Sequence, residues 1–182
     1  MKKAIGIIEF KSIPIGIEAT DAMLKSGNVE LVMAQAVCPG KYISFITGDV
    51  GAVKASIDNG VHKGGTFVLE SHVIPNIHPA VVPSMLGTGT IGDVDALGMI
   101  ETINTISGIK IGDVCVKAAN VTLVEIRLAR GLGGKSFVII TGDVAAVRNA
   151  VKAVEADLGP LGVITSFSVI PKPHKDICQA IL

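Results

Sequence analysis

Ala96-Leu97-Gly98-Met99-Ile100-Glu101 restates Ala4-Ile5-Gly6-Ile7-Ile8-Glu9. The correspondence runs on from there. Lys25, Asn28, Val29, Leu31 and Val32 return as Lys117, Asn120, Val121, Leu123 and Val124, and Gly48-Asp49-Val50 returns as Gly142-Asp143-Val144. Val73-Ile74-Pro75, followed by His78, returns as Val169-Ile170-Pro171, followed by His174. The offset starts at 98 − 6 = 92, passes through 142 − 48 = 94 and ends at 174 − 78 = 96. Two copies of one fold with small loop insertions would drift in this way. Short units repeated three or more times would point to a solenoid; two long units point to tandem domains, each with its own core.

Each half reads β-α-β-β-α-β, an α+β fold with an antiparallel or mixed sheet and helices on one face. In the first half, residues 4–10 form a strand. Ser12 and Pro14 open a helix, proline being tolerated in a first turn where its missing N–H costs nothing. Ile15, Ala19, Ala22 and Met23 share a face of that helix, and Gly27-Asn28 ends it as residues suited to a left-handed cap. Residues 29–37 are a strand, broken by Cys38-Pro39-Gly40-Lys41, and 42–47 are the next. Asp49 caps a helix over about 50–62, and 66–74 form the last strand, ended by Pro75. The second half predicts strands at 96–101, 121–129, 136–141 and 163–170, a helix near 108–119 and another from Asp143. The expected domains are 1–88 and 94–182, joined by the Gly- and Asp-rich linker 87–95.

Composition limits the function. The 182 residues are 49% hydrophobic and 18% charged, with a mean hydropathy of +0.59. No stretch reaches the roughly 18 apolar residues of a membrane span. Glu9 and Lys11 interrupt the first apolar run too early for a signal peptide. The apolar excess fits subunit interfaces, so obligate oligomerisation is expected. Net charge is zero, with seven acids against seven bases up to about residue 90, leaving 16 − 7 = 9 of each beyond. With no Trp, one Tyr, five Phe and no basic stripe, nucleic-acid binding is disfavoured. Three cysteines, none in a C-x-x-C pair, point to a reducing cytoplasm.

The motifs ALGMIE, VKAANV, GDVAAV and VIPKPH, in this order and spacing, resemble the bacterial microcompartment (BMC) shell proteins, and the resemblance covers nearly the whole chain. It implies two ferredoxin-like-related BMC domains, and a homotrimer forming a pseudo-hexagonal tile among neighbouring shell proteins. It implies no enzyme activity, no nucleic acid and no membrane, and a place in the shell of a cytoplasmic bacterial microcompartment. Cys38-Pro39-Gly40-Lys41 is similar to the loop of the iron–sulfur tandem shell proteins of the propanediol-utilisation compartment. There one cysteine from each of three subunits holds a cluster on the threefold axis. The resemblance makes Cys38 the cofactor-binding and metal-ligating residue for a 4Fe–4S cluster shared by three subunits. Such a centre would serve electron transfer across the shell or cluster delivery, with an enclosed redox enzyme as partner. Pro39, Gly40 and Lys41, with Gly131, Leu132, Gly133 and Gly134 of the second repeat, become the pore loops. Lys25, Lys117 and Lys172 become lateral tiling residues; the first repeat carries Asn76-Ile77 where the second has Lys172.

The residues themselves leave alternatives open. A lone loop cysteine is ordinarily an inert thiol, but a cyclic trimer brings three copies of one residue to a common axis. Three thiolates would leave one iron of a 4Fe–4S cluster open to an external ligand. Pro39 stiffens the loop, Gly40 permits a close turn, and Lys41 could offset the negative charge of thiolates and cluster. A metal-free tile with an open metabolite pore is the alternative, and a soluble oligomeric enzyme or signalling domain is a third. No acid, base or nucleophile constellation is visible for the third. Gly131–Lys135 does not have phosphate-loop spacing and leads into a strand. Cys115 reads as core and Cys178 as part of a helical tail. His78 and His174 read as structural or interface residues, and Glu9 and Glu101 as carboxylates serving the fold.

Overall fold

The computed structural model of the chain describes residues 4–89 and 92–181. Met1-Lys2-Lys3, the linker residues Thr90 and Ile91, and Leu182 lie outside the described residues. The chain divides into two compact units, Met1–Ile77 and His78–Leu182.

In the first unit, β1 (Ala4–Phe10), β2 (Val29–Val37), β3 (Lys41–Gly48) and β4 (Val68–Ile74) form one sheet in the order β2-β3-β1-β4, every pair antiparallel. Helices α1 (Ile13–Ser26) and α2 (Val50–Gly64) pack against it. The helices come close because Gly6 sits under α2: a Cβ there would stand 2.7 Å from side-chain carbons of Val53 and Ile57. The core between sheet and helices is Ala4, Ile8, Phe10, Ala19, Met23, Tyr42, Ile46, Val53 and Ile57. Each large side chain buried here stabilises the fold by about 1.5–3 kcal/mol.

Alternation along β1 is masked because both of its faces are buried, which is why it reads as a continuous apolar run. The buried stripe of α1 is Gly16, Ala19, Thr20 and Met23, so it is rotated from the expected Ile15-centred face. Gly16 takes the centre because the ring of Tyr42 lies against it. Gly27 ends α1 in an extended conformation, not a left-handed one. Glycine is suited there by space, since a Cβ would stand 2.6 Å from Ser56 Oγ. Asp49 precedes α2 without a side-chain capping bond; its carbonyl accepts from Val53 N at 2.9 Å.

The second unit repeats the sheet with β5 (Ala96–Thr102), β6 (Thr122–Leu128), β7 (Ser136–Gly142) and β8 (Ile164–Ile170), in the order β6-β7-β5-β8. Its helices are α4 (Thr105–Ala118) and α5 (Val144–Leu158). Register irregularities recur at equivalent places, between Leu31 and Met33 in the first sheet and between Leu123 and Glu125 in the second. Helix α4 begins earlier than expected because Asn104 caps it, accepting from Ser107 N at 3.0 Å. Asp143, like Asp49, holds the N-cap position with no side-chain bond.

Two short helices follow the equivalent histidines. The tail helix α6 (Lys175–Ile181) was expected; α3 (Val81–Leu86) was not. The unit boundary falls between Ile77 and His78, whereas the sequence carried the first domain to residue 88. The reason is α3, which packs on β6 and α4. Among the described residues, no helix is long and apolar enough to cross a membrane.

Candidate functional site

The two β-hairpin loops that correspond between repeats differ in length and in closure. Strand β2 ends at Val37 and β3 begins at Lys41, so Cys38, Pro39 and Gly40 alone make the first turn. Cys38 is a half-buried free thiol, and Pro39 and Gly40 are exposed. The Cys38–Pro39 peptide is cis, and Gly40 has φ +72° with no atom within 4 Å of where a Cβ would stand. Glycine is suited to that position by its backbone angle alone.

The second loop, residues 129–135, is closed by its own backbone. Ala129 N donates to Lys135 O at 2.8 Å, Leu132 N to Ala129 O at 3.1 Å and Lys135 N to Leu132 O at 3.2 Å. Gly131, Gly133 and Gly134 all have positive φ, as does Ala129. No phosphate cradle follows, since the loop leads directly into β7.

Lys41 does not stand free beside Cys38. Its ammonium donates to Glu9 Oε2 at 3.2 Å, and the equivalent Lys135 donates to Glu101 Oε2, also at 3.2 Å. The strand-end carboxylates serve the fold, as expected, but through loop lysines. Register explains both pairs: Glu9 lies opposite Ile43 and Glu101 opposite Phe137, so each lysine is the diagonal neighbour two residues along. The Glu9 side chain is almost fully buried, while Glu101 and both lysines are more open.

The other single-residue expectations fall as follows. Lys25 is exposed and pairs with Asp21 at 2.6 Å; Lys117 pairs with Asp113 in the same i, i+4 arrangement. Lys172 is exposed. Cys115 is fully buried in α4, and burial pushes its thiol up to about 12, a core group with no part in thiolate chemistry. Cys178 is half-buried on α6.

His78 and His174 have a structural task. Each ring Nδ1 accepts a backbone N–H two residues on, from Ala80 at 3.2 Å and from Asp176 at 3.3 Å. Their carbonyls accept from Val81 N and Ile177 N, both at 3.0 Å, so each histidine shapes the turn that leads into a short helix. Sequence reading missed this turn at His78, although the recurrence of His174 before a recognised helix was the signal for it. Among the described residues, no group of three or more His, Cys, Asp or Glu could hold a metal ion within one chain.

Residues 4–77 and 96–173 each match the BMC domain family. The chain belongs to the BMC-domain proteins. It is 43% identical over 177 residues to the bacterial microcompartment shell protein PduT of Citrobacter freundii, covering 97% of this chain and 96% of that one. A crystal structure of a microcompartment protein from Desulfitobacterium hafniense superposes with a TM-score of 0.95 at 42% identity, over 98% of this chain and 99% of that one. The shell protein PduA of Citrobacter freundii is 42% identical over 82 residues, which is 44% of this chain and 88% of PduA. One BMC domain is thus a whole protein there and half a protein here. This chain is a structural shell protein with two BMC domains in tandem. It is not an enzyme, and it assembles with other shell proteins in the wall of a bacterial microcompartment.

Proposed function

We propose that three copies of the chain close into a pseudo-hexagonal tile, with Cys38 from each copy at the central threefold axis holding one 4Fe–4S cluster. The observation that carries this reading is the position of Cys38. It is a free thiol on a three-residue turn whose exposed Pro39 and Gly40 leave room for a second copy to approach. One chain offers no ligand set of its own among the described residues, so any metal bound through Cys38 needs thiols from other copies. The residues fit the group on that condition: iron–sulfur clusters are held by cysteine thiolates, and rotation supplies three from one.

When bound, the cluster supplies one-electron redox chemistry at the pore. The chain's own residues set its surroundings. Pro39 and Gly40 line the turn, and Gly131, Leu132, Gly133 and Gly134 alternate with it around the opening. Lys41 keeps its charge on Glu9, so the pore rim near Cys38 carries a neutralised pair. The centre serves electron transfer across the shell, or cluster delivery to an enclosed redox enzyme. Lys25, Lys117 and Lys172 are the lateral contacts to neighbouring tiles.

Iron and acid-labile sulfide per trimer, in wild type and Cys38→Ser purified without oxygen, test the proposal. Near-stoichiometric iron and sulfide in wild type and none in the variant is the expected result. Intact trimers without metal in either would leave Cys38 a pore-lining thiol and make metabolite passage the better account.

A further inference from the structure

Strands β4 and β8 stand at the same edge of equivalent sheets, but only β4 carries charge. Each pairs on one side alone, with β1 or β5, so the backbone N–H and C=O groups of its outer edge meet no further strand. Such edges are ordinarily blunted by charged side chains or proline, or covered by another element. On β4 the charged residues are Glu70 and His72, paired at 2.6 Å. On β8 Ser166 and Ser168 stand in their places, and Ile164–Ile170 holds neither charge nor proline. Thr165, Ser166, Phe167 and Ser168 are all exposed.

The helix beside the edge differs as well. Phe167 lies opposite Ile100 as Ser71 lies opposite Ile8, so the two are equivalent. Phe167 is 48% exposed although it shares a face with Ile100, a core residue. With Val169 it forms one wall of a groove; the other wall is α5, with Arg148, Val151, Lys152 and Glu155. Arg148 and Lys152 stand one helical turn apart, and among the described residues neither has an ion-pair partner. Like charges at that spacing work against a helix, and Glu155 offsets only one of the two. In the first repeat the equivalent positions are Lys54 and Asp58, whose charges cancel. The second edge therefore combines an open backbone, a bare ring and an excess of positive charge, and the first has none of the last two.

We propose that β8 is a docking edge, to which an extended acidic segment of another protein adds as a fifth strand of the second sheet. Main-chain hydrogen bonds run along residues 165–169. An apolar side chain of the segment covers Phe167, and a carboxylate two residues along from it sits between Arg148 and Lys152. In strand addition the backbone supplies affinity and alternate side chains supply specificity. Charge decides the occupant. The β8 edge of a second copy would bring two more cations to the same side of the sheet, and a neutral strand would leave Arg148 and Lys152 unmatched. The docking edge requires neither Cys38 nor a cluster.

The test selects a display library of random peptides on the full-length chain, counter-selected on the same chain carrying Lys152→Asp and Phe167→Ser. Those substitutions install the residues of the first repeat, Asp58 and Ser71, which the same fold already accommodates. Peptides enriched on wild type should alternate apolar residues with Asp or Glu. A synthetic copy of the leading peptide should bind the variant about tenfold more weakly or worse. On wild type it should slow amide hydrogen exchange at residues 165–169 and leave 69–73, the equivalent stretch of β4, unchanged; this reading needs no variant. The proposal is overturned if nothing is enriched on wild type over the variant, or if enriched peptides leave exchange at 165–169 as it was. A basic or uncharged consensus overturns the acidic occupant. Protection of every amide from 165 to 169 in the chain alone would mean that a second copy already pairs with the edge, and overturns it too.

Discussion

Where β1 meets β3 in the first repeat, Phe10 stands opposite Tyr42; at the equivalent place in the second, Thr102 stands opposite Ser136. The first corner is apolar. Phe10 is fully buried, and Tyr42 packs on Gly16 of α1 while burial pushes its phenol up. The second corner is a hydroxyl network. Thr102 Oγ1 and Ser136 Oγ lie 2.7 Å apart and 2.7 and 2.9 Å from the carbonyl oxygen of Asn104, so one hydroxyl donates to the other, which in turn donates to that carbonyl. The backbone is the same in both, down to the glycine, Gly16 or Gly108, that lets the helix approach. The difference teaches that this corner is specified by volume and satisfied polar groups, and that either aromatic burial or paired hydroxyls can fill it.

That comparison yields a ranked set of perturbations. The largest effect belongs to the aromatic corner: Phe10→Ala should cost about 3–5 kcal/mol in urea denaturation, against about 1 kcal/mol for Thr102→Ala. Equal losses would mean that the two corners are not alternative solutions to one packing problem.

Next comes pH. Met23 and Cys115 are equivalent, both fully buried, but only Cys115 carries a proton. Its folded thiol is raised to about 12, above the ordinary value of 9.0. The folded state therefore holds a proton that the unfolded chain releases. The contribution is fully present below pH 9 and is lost progressively between pH 9 and 12. Denaturation at pH 10 should show about 1 kcal/mol less stability than at pH 8, a loss that Cys115→Met removes. A pH dependence unchanged by that substitution would place its source elsewhere.

The smallest effect separates the helix starts. Asn104→Ala should cost about 1 kcal/mol, because its side chain caps α4. Ser12→Ala should cost almost nothing, because α1 has no side-chain capping bond. Matching thermal shifts for the two would remove the capping difference.

The strands were legible because the repeat fixes them twice: β1 and β5 match their expected starts, and the breaks at Cys38 and Gly131 fall between strands as expected. Boundaries drifted where a side chain outside the apolar pattern decides them, as Asn104 does for α4. Helix α3 was missed because six residues containing Pro83 carry too little periodicity, and its N-cap residue, Ala80, offers no side-chain capping bond. At the loops, Cys38 could be singled out by residue type. The anchoring of Lys41 could not, because Glu9 is 32 positions away and becomes its neighbour only through strand register.

The unlike hairpin loops also bear on copy number. In a ring built from single-domain chains, a substitution at a loop position is made at every place around the axis at once. Duplication uncouples alternate places. On the proposed tile, one loop can carry a thiol while the other keeps a cysteine-free, self-closed backbone, so half as many thiols would meet at the axis. The second copy can drift in sequence without diluting or doubling the chemistry of the first.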